Sequence, residues 1–432
     1  MTRSALARWL LASVFALTLA GASLAANWPQ WRGPTNDGIC KETGLPTEWS
    51  ETKNIAWKLP MPAQAGSTPA VWGDRIFLTS EDGPEVVAMC VSTGGKELWR
   101  KPLGKHNGRK YMSGEGNNAS ASPCTDGKHV WVLDGAGHLD CFDIDGKEVW
   151  KLDVQEKYGQ FRIQHGFHNT PLLDGDRLYM NLLHSNAWLV LALDKMTGKE
   201  VWKHERKSDA YAENEQSYCS PSIWRKGGEA YLVVHGNDYC TAHSLDDGRE
   251  IWRLGDLNPP PQGRYNTTLR FVASPVVSED VIVVPTAKKG VVVGVNPAAR
   301  GKITAGTSGE LWRMTKDTPD VPCPLVQDGL VYLCLERDGV VICLDAKTGA
   351  QQYRTDPLHR GVIYRASPLY ADGKIYITAR DGFTTVFKAG RKFEKIADNR
   401  LPDDTSASMA ISNGRIYIRG WKNLYAISEG GK

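Results

Sequence analysis

The stretch LALDKMTGKEVW, residues 191–202, closes a phrase that recurs along the whole chain. The phrase opens with two small residues and a proline, followed by a short apolar run and a Gly-Asp or Asp-Gly pair. An aromatic-rich run and a second apolar run come next, and Asp-x-x-Thr-Gly-Lys with a tryptophan ends it. The fullest copy extends from Thr170-Pro171 to Trp202. Other copies end in MCVSTGGKELW (89–99), CFDIDGKEVW (141–150), HSLDDGREIW (243–252) and CLDAKTGAQQY (343–353). The phrase prolines are Pro69, Pro123, Pro171, Pro221, Pro275, Pro324 and Pro368, and Met409 takes the place in an eighth copy. The closing aromatics are Trp99, Trp150, Trp202, Trp252, Trp312 and Tyr353, with Phe393 as a weaker seventh. A spacing of roughly 40–60 residues is the period of a four-stranded repeating unit.

Each unit reads as four short antiparallel strands. Alternating β-branched and aromatic residues, as in Arg177-Leu178-Tyr179-Met180 and Lys374-Ile375-Tyr376-Ile377, supply the strand pattern. Gly73-Asp74, Gly175-Asp176 and Asp372-Gly373 make the first hairpin turns. Such a sheet cannot bury both faces alone, and stacking the units around an axis covers them. The eighth copy ends after Asn423 to Ile427 without a tryptophan strand, whereas an orphan one, Asn54-Ile55-Ala56-Trp57-Lys58, stands near the start. The expected fold is therefore all-β: an eight-bladed β-propeller whose last blade, 407–427, is completed by residues 54–58. The expected division is a signal peptide over 1–25, an N-terminal strap over 26–53 and the propeller over 54–428.

The composition is that of an ordinary globular chain, with a formal net charge of +3. Arg3 and Arg8, a short apolar run from Trp9 to Ala20 and the small-x-small site Ser23-Leu24-Ala25 read as a secretory signal cut between Ala25 and Ala26. Its removal leaves a nearly neutral chain, and no basic surface points to nucleic acid. No later segment is long and apolar enough to span a membrane as a helix. A periplasmic or secreted monomer is expected. Nine cysteines include no adjacent pair and no Cys-x-x-Cys, so zinc and c-type haem signatures are absent. Cys141 and Cys343 share the repeat position of Ala192 and read as small packing residues, with a disulfide elsewhere left open. No P-loop, His-Glu-x-x-His or nucleophile elbow occurs. Asp143-Ile144-Asp145-Gly146 is a hairpin turn rather than a calcium loop, because Cys141 stands where the first acid would be.

Ala192-x-Asp194-x-x-Thr197-Gly198-x-x-x-Trp202 resembles the tryptophan-docking motif of the PQQ-like repeat family, which includes quinoprotein propellers and the outer-membrane assembly lipoprotein BamB. The opening Trp28-Pro29-Gln30-Trp31-Arg32-Gly33-Pro34 and the late Tyr376 to Gly382 resemble exported bacterial members. The resemblance implies that each closing aromatic docks on the glycine turn of a neighbouring blade. That assigns blade docking to Trp57, Trp99, Trp150, Trp202, Trp252, Trp312 and Tyr353. It also raises two functions beyond passive binding: a PQQ- and Ca²⁺-dependent alcohol or sugar dehydrogenase, and an assembly factor like BamB. The adjacent cysteine pair and large insertions of several dehydrogenases are missing here.

Ligand residues belong on the segments just upstream of each repeated proline, where the chain enters the innermost strand at the channel mouth. Those positions supply Glu115, Asn118, His165, His168, Glu215, Gln216, Arg270, Asp320, Tyr364 and Arg365. Acids, amides, histidines and two arginines on one rim suit a protein, peptide or polar small-molecule ligand. No catalytic or metal-ligating set is assigned. The leading expectation is a non-catalytic binding or scaffold propeller, with PQQ and Ca²⁺ as the cofactors of the enzyme alternative. The long joints at 151–168, 203–218 and 253–272 and the insertion at 296–308 are expected contact surfaces.

Overall fold

The computed structural model describes residues 27–109, 111, 115–258, 263–287 and 289–431. The expected signal peptide, 1–25, lies outside the described residues. Eight sheets are arranged in sequence order around a central channel, confirming the expected eight-bladed propeller. Blades 1 to 7 span 70–105, 124–153, 172–205, 222–254, 276–314, 325–354 and 369–400. Blade 8 comprises Ala410–Ser412, Arg415–Arg419 and Asn423–Ile427, with Ile55–Pro60 as its outer strand. Antiparallel pairing of Trp57 with Ala426, Lys58 with Tyr425 and Leu59 with Leu424 closes the ring between the two ends of the chain.

Blade faces are sealed by the closing aromatics. An ideal Cβ built on Gly95, Gly146, Gly198, Gly248 or Gly349 would lie within 2.5–2.8 Å of the ring of Trp57, Trp99, Trp150, Trp202 or Trp312 respectively. Only glycine lets the ring lie that close. Each indole N–H then donates to a carbonyl of the same neighbouring turn: Thr93 at 2.8 Å, Ile144 at 3.1 Å, Lys195 at 2.9 Å, Leu245 at 2.9 Å and Ala346 at 2.8 Å. Behind each ring a small residue faces it across the strand pair: Ala192 opposite Trp202, Cys90 opposite Trp99, Cys141 opposite Trp150 and Cys343 opposite Tyr353. Volume thus explains these three cysteines. All nine cysteines are buried and unbridged.

Three blade junctions depart from the motif, and at one of them Tyr353, expected to dock on a glycine turn, meets no glycine of blade 7 and packs against Phe393 instead. Trp252 has no glycine turn beneath it, because the next blade carries the 296–308 insertion there. Gly301–Ile303 of that insertion runs parallel to Glu250–Leu254, with Gly301 beside Trp252. The insertion therefore splints blade 4 to blade 5. Blade 7 ends in Lys395–Arg400 without a docking tryptophan. Phe393, expected as a weak substitute, instead packs with Tyr353 and Phe387 on the blade 6 side. Trp49 of the strap fills the opposite junction: its ring stacks on Tyr376 at 6.4 Å, and Asn399 Oδ1 accepts its backbone N–H at 2.7 Å.

The inner edge of the ring has a second seam. From blade 2 to blade 8, the residue at the head of each phrase accepts a hydrogen bond from the backbone N–H of the matching residue one blade earlier. Thr68 donates to Ser122, Ser122 to Thr170, Thr170 to Ser220 and Ser220 to Ser274, at 2.8–3.1 Å. Ser274 then donates to the Cys323 sulfur, Cys323 to Ser367 and Ser367 to Ser408.

The strap crosses the far end of the channel. Trp28 pairs with Val71 of blade 1, Pro29 accepts from Thr125 of blade 2, and Gln30 accepts from Leu173 of blade 3. Asn36 donates to Pro221 of blade 4 and Arg32 to Pro324 of blade 6, and Ile39–Cys40 adds a parallel strand to blade 7. Pulling these contacts together from six blades, the strap puts Trp31 across the floor.

Gly248 and Gly175 both adopt positive φ, 74° and 55°, but only Gly248 has an indole within contact of its missing Cβ. Both alanine variants incur the left-handed penalty, about 1–2 kcal/mol. Gly248→Ala should cost a further ~1–3 kcal/mol from overpacking against Trp202, measured by denaturant unfolding. Equal losses would show that the aromatic seal does not govern stability.

A candidate ligand pocket at the channel mouth

The segments entering the innermost strands surround a cavity of about 320 Å³. Its walls are the serines and threonines of the inner seam, and its mouth carries charged side chains. Trp31 lines both this cavity and a small hollow beneath it, shared with Gln30, Asn36 and Leu172. The channel is therefore a pocket with an aromatic floor.

Six expected rim residues line the cavity: Glu115, His165, His168, Arg270, Asp320 and Arg365. The other four do not. Asn118 is buried and donates to Glu81 at 2.9 Å, tying the blade 2 entry to blade 1. Tyr364 is fully buried, its ring lying where a Cβ on Gly339 would be. Glu215 ends a single 3-10 turn, Ala212–Glu215, and its carbonyl accepts from Asn237. Gln216 supports the wall by accepting from the Gln164 N–H at 2.7 Å and from Tyr218 at 3.2 Å. Arg380 and Tyr218 also face the cavity. Arg380 sits between the second and third strands of blade 7, away from the proline-leading segments that the repeat singles out.

The charges form two groups. On one side Arg365 grips Glu115 in a two-pronged pair, Nε to Oε2 at 3.1 Å and Nη2 to Oε1 at 2.9 Å. Arg380 Nη1 reaches the same Oε1 at 3.1 Å, and Glu336 lies 3.4 Å from Arg365. Burial alone would raise the Glu115 carboxyl, but the hydrogen bonds and charges of Arg365 and Arg380 hold it below the usual carboxylate range. On the other side Arg270 donates to His165 Nε2 at 2.7 Å and lies 3.5 Å from Glu213. Burial, then the Arg270 charge, lowers the pKa of His165 and favours the neutral acceptor ring. His168 is pushed down to about 4, chiefly by burial.

The dehydrogenase alternative asks for carboxylates with oxygens free for Ca²⁺ beside a tricarboxylate quinone. Glu115 is already committed to two arginines, and among the described residues no group of three His, Cys, Asp or Glu side chains could hold a metal. The one sulfur in the wall, Cys323, accepts a backbone N–H of the inner seam.

The sequence profile of the family described as outer membrane protein assembly factor BamB matches residues 85–307 and 299–392. No curated protein sequence matches the chain significantly. Among solved structures, BamB from Moraxella catarrhalis is similar at 13% identity and a TM-score of 0.59, over 87% of this chain and 97% of that one. Quinohemoprotein alcohol dehydrogenase from Comamonas testosteroni is similar at 12% identity and a TM-score of 0.66, over 94% and 81%. A europium-containing methanol dehydrogenase gives 12% and 0.64, over 92% and 90%. At these identities the structural likenesses concern the fold alone.

A histidine depressed in the folded state holds fewer protons there than in the unfolded chain, so stability rises with pH between about 4 and the unfolded value near 6.5. His168→Gln should therefore lose less stability than the wild type on going from pH 7 to pH 5, by about 1–2 kcal/mol in denaturant titrations. Identical losses would place the His168 ring in water.

Proposed function

Because the chain belongs to the PQQ-like propeller family described as outer membrane protein assembly factor BamB, a fold that hosts more than one activity, we propose its role from its pocket: an exported, non-catalytic binding protein that holds a polar small molecule at the channel mouth. The observation that carries this reading is the floored cavity of about 320 Å³, walled by hydroxyls and ringed by arginine, glutamate and histidine side chains. Trp31 gives the cavity an aromatic surface where the strap crosses the channel. The positive start, short apolar run and small-residue cut site of residues 1–25 support export. Among the described residues no helix is long and apolar enough to cross a membrane.

The rim fixes ligands without offering an evident reaction. His165 accepts from Arg270, and Glu115 is held by Arg365 and Arg380. The quinoprotein and assembly-factor alternatives both rest on family likeness.

Two titrations of the mature protein separate these readings. A panel of sugars, sugar acids, amino acids and short peptides should contain a compound that raises the melting temperature, and Arg270→Ala should weaken that shift at least tenfold in concentration. PQQ with Ca²⁺ should show no saturable binding at tens of micromolar. Saturable PQQ binding with alcohol-dependent dye reduction would replace the binding-protein reading with the dehydrogenase.

A further inference from the structure

Within that pocket, Arg365 and Arg380 both come from blade 7, whereas Glu115 leads into blade 2; blades 8 and 1 stand between them. One acid carried on a distant blade thus satisfies two arginines at once, with both oxygens on Arg365 and one shared with Arg380. The three side chains are only 15%, 15% and 23% exposed for Arg365, Arg380 and Glu115, and all three line the cavity. The arginines are set in place from behind. The Arg380 backbone donates to Ile363 at 2.8 Å and its guanidinium lies over Trp421 at 5.8 Å, while Glu336 flanks Arg365.

The second observation lies below the clamp. Ser122, Thr170, Ser220, Ser274, Ser367 and Ser408 each accept a backbone N–H with their side-chain oxygen. None of these hydroxyls donates to an acceptor among the described residues, so their O–H groups are available to the cavity. A ring of such donors above the Trp31 face suits a compound rich in hydroxyl and ring oxygens. A two-arginine fork suits a planar carboxylate.

We propose that Glu115 occupies the seat of a ligand's carboxylate, and that the pocket takes a small hydroxylated acid, a sugar acid, whose carboxylate displaces Glu115 from Arg365 and Arg380 while its hydroxyls meet the serine and threonine ring. This rests on the pocket being a ligand site. Glu115 competes for the clamp, so affinity for the acid is set by the exchange of one carboxylate for another. Glu336 remains beside Arg365 to balance part of the charge. A neutral sugar of the same shape has nothing to offer the clamp and leaves Glu115 in place.

The test is calorimetric titration of the mature wild type, Glu115→Gln and Arg365→Gln with galacturonate, galactose and inorganic phosphate, each variant first matched to the wild type by circular dichroism. Galacturonate should bind more tightly than galactose, Glu115→Gln should strengthen galacturonate alone by about tenfold, and Arg365→Gln should erase the preference for the acid. Equal binding of acid and neutral sugar by all three proteins overturns the clamp but keeps the pocket as a ligand site. Phosphate bound in preference to galacturonate overturns the carboxylate assignment. Absence of binding by every protein to every probe overturns the clamp, and a neutral or peptide hit from the wider panel would then show that the pocket reading survives it.

Discussion

The structure depends on an indole lying flat against a bare backbone. A tryptophan at the outer edge of one blade reaches the next blade's hairpin, where glycine leaves no Cβ, and its N–H finds a carbonyl of the same turn. That contact removes a large apolar ring from water and satisfies its polar atom at once. Repeated around the ring, it seals the outer side, while the serine and threonine seam ties the inner side. With both edges tied, the segments entering each inner strand have little freedom. Arginines, acids and histidines drawn from separate blades are thereby held at a common mouth.

Where the contact is missing, other parts of the chain replace it. Gly301–Ile303 splints the junction at Trp252, and Trp49 wedges in where blade 7 has no tryptophan of its own. The strap that delivers Trp49 also lays Trp31 across the far end of the channel. One N-terminal segment thus completes a blade, repairs a junction and floors the pocket.

The fold was legible because the indole–glycine contact imposes a fixed spacing: Gly198 and Trp202 belong to one phrase, and the phrase repeats. The closure by residues 54–58 was legible for the same reason, as a tryptophan strand without its unit. Trp49 escaped because a residue outside the repeat has no spacing to reveal it, and Phe393 drew the assignment simply by being the nearest aromatic. The pocket was half legible. Positions upstream of each proline do face the channel, which brings Glu115, His165, Arg270 and Arg365 together. Whether a given side chain there turns into the channel or back into its blade depends on local packing, as Tyr364 against Gly339 and Asn118 against Glu81 show. Arg380 lies on a different turn and carries no sequence signal for the site. The pairing of Glu115 with two arginines from blade 7 is a property of the closed ring alone.

In the proposed reading, ring closure makes a pocket over Trp31 whose arginine clamp awaits a carboxylate now supplied by Glu115. A crystal structure of the protein grown with saturating galacturonate tests it most directly. Sugar-acid density is expected above Trp31, with its carboxylate on Arg365 and Arg380 and Glu115 turned away. Density confined to the outer blade surfaces, or Glu115 still seated on both arginines beneath a bound sugar, would contradict it.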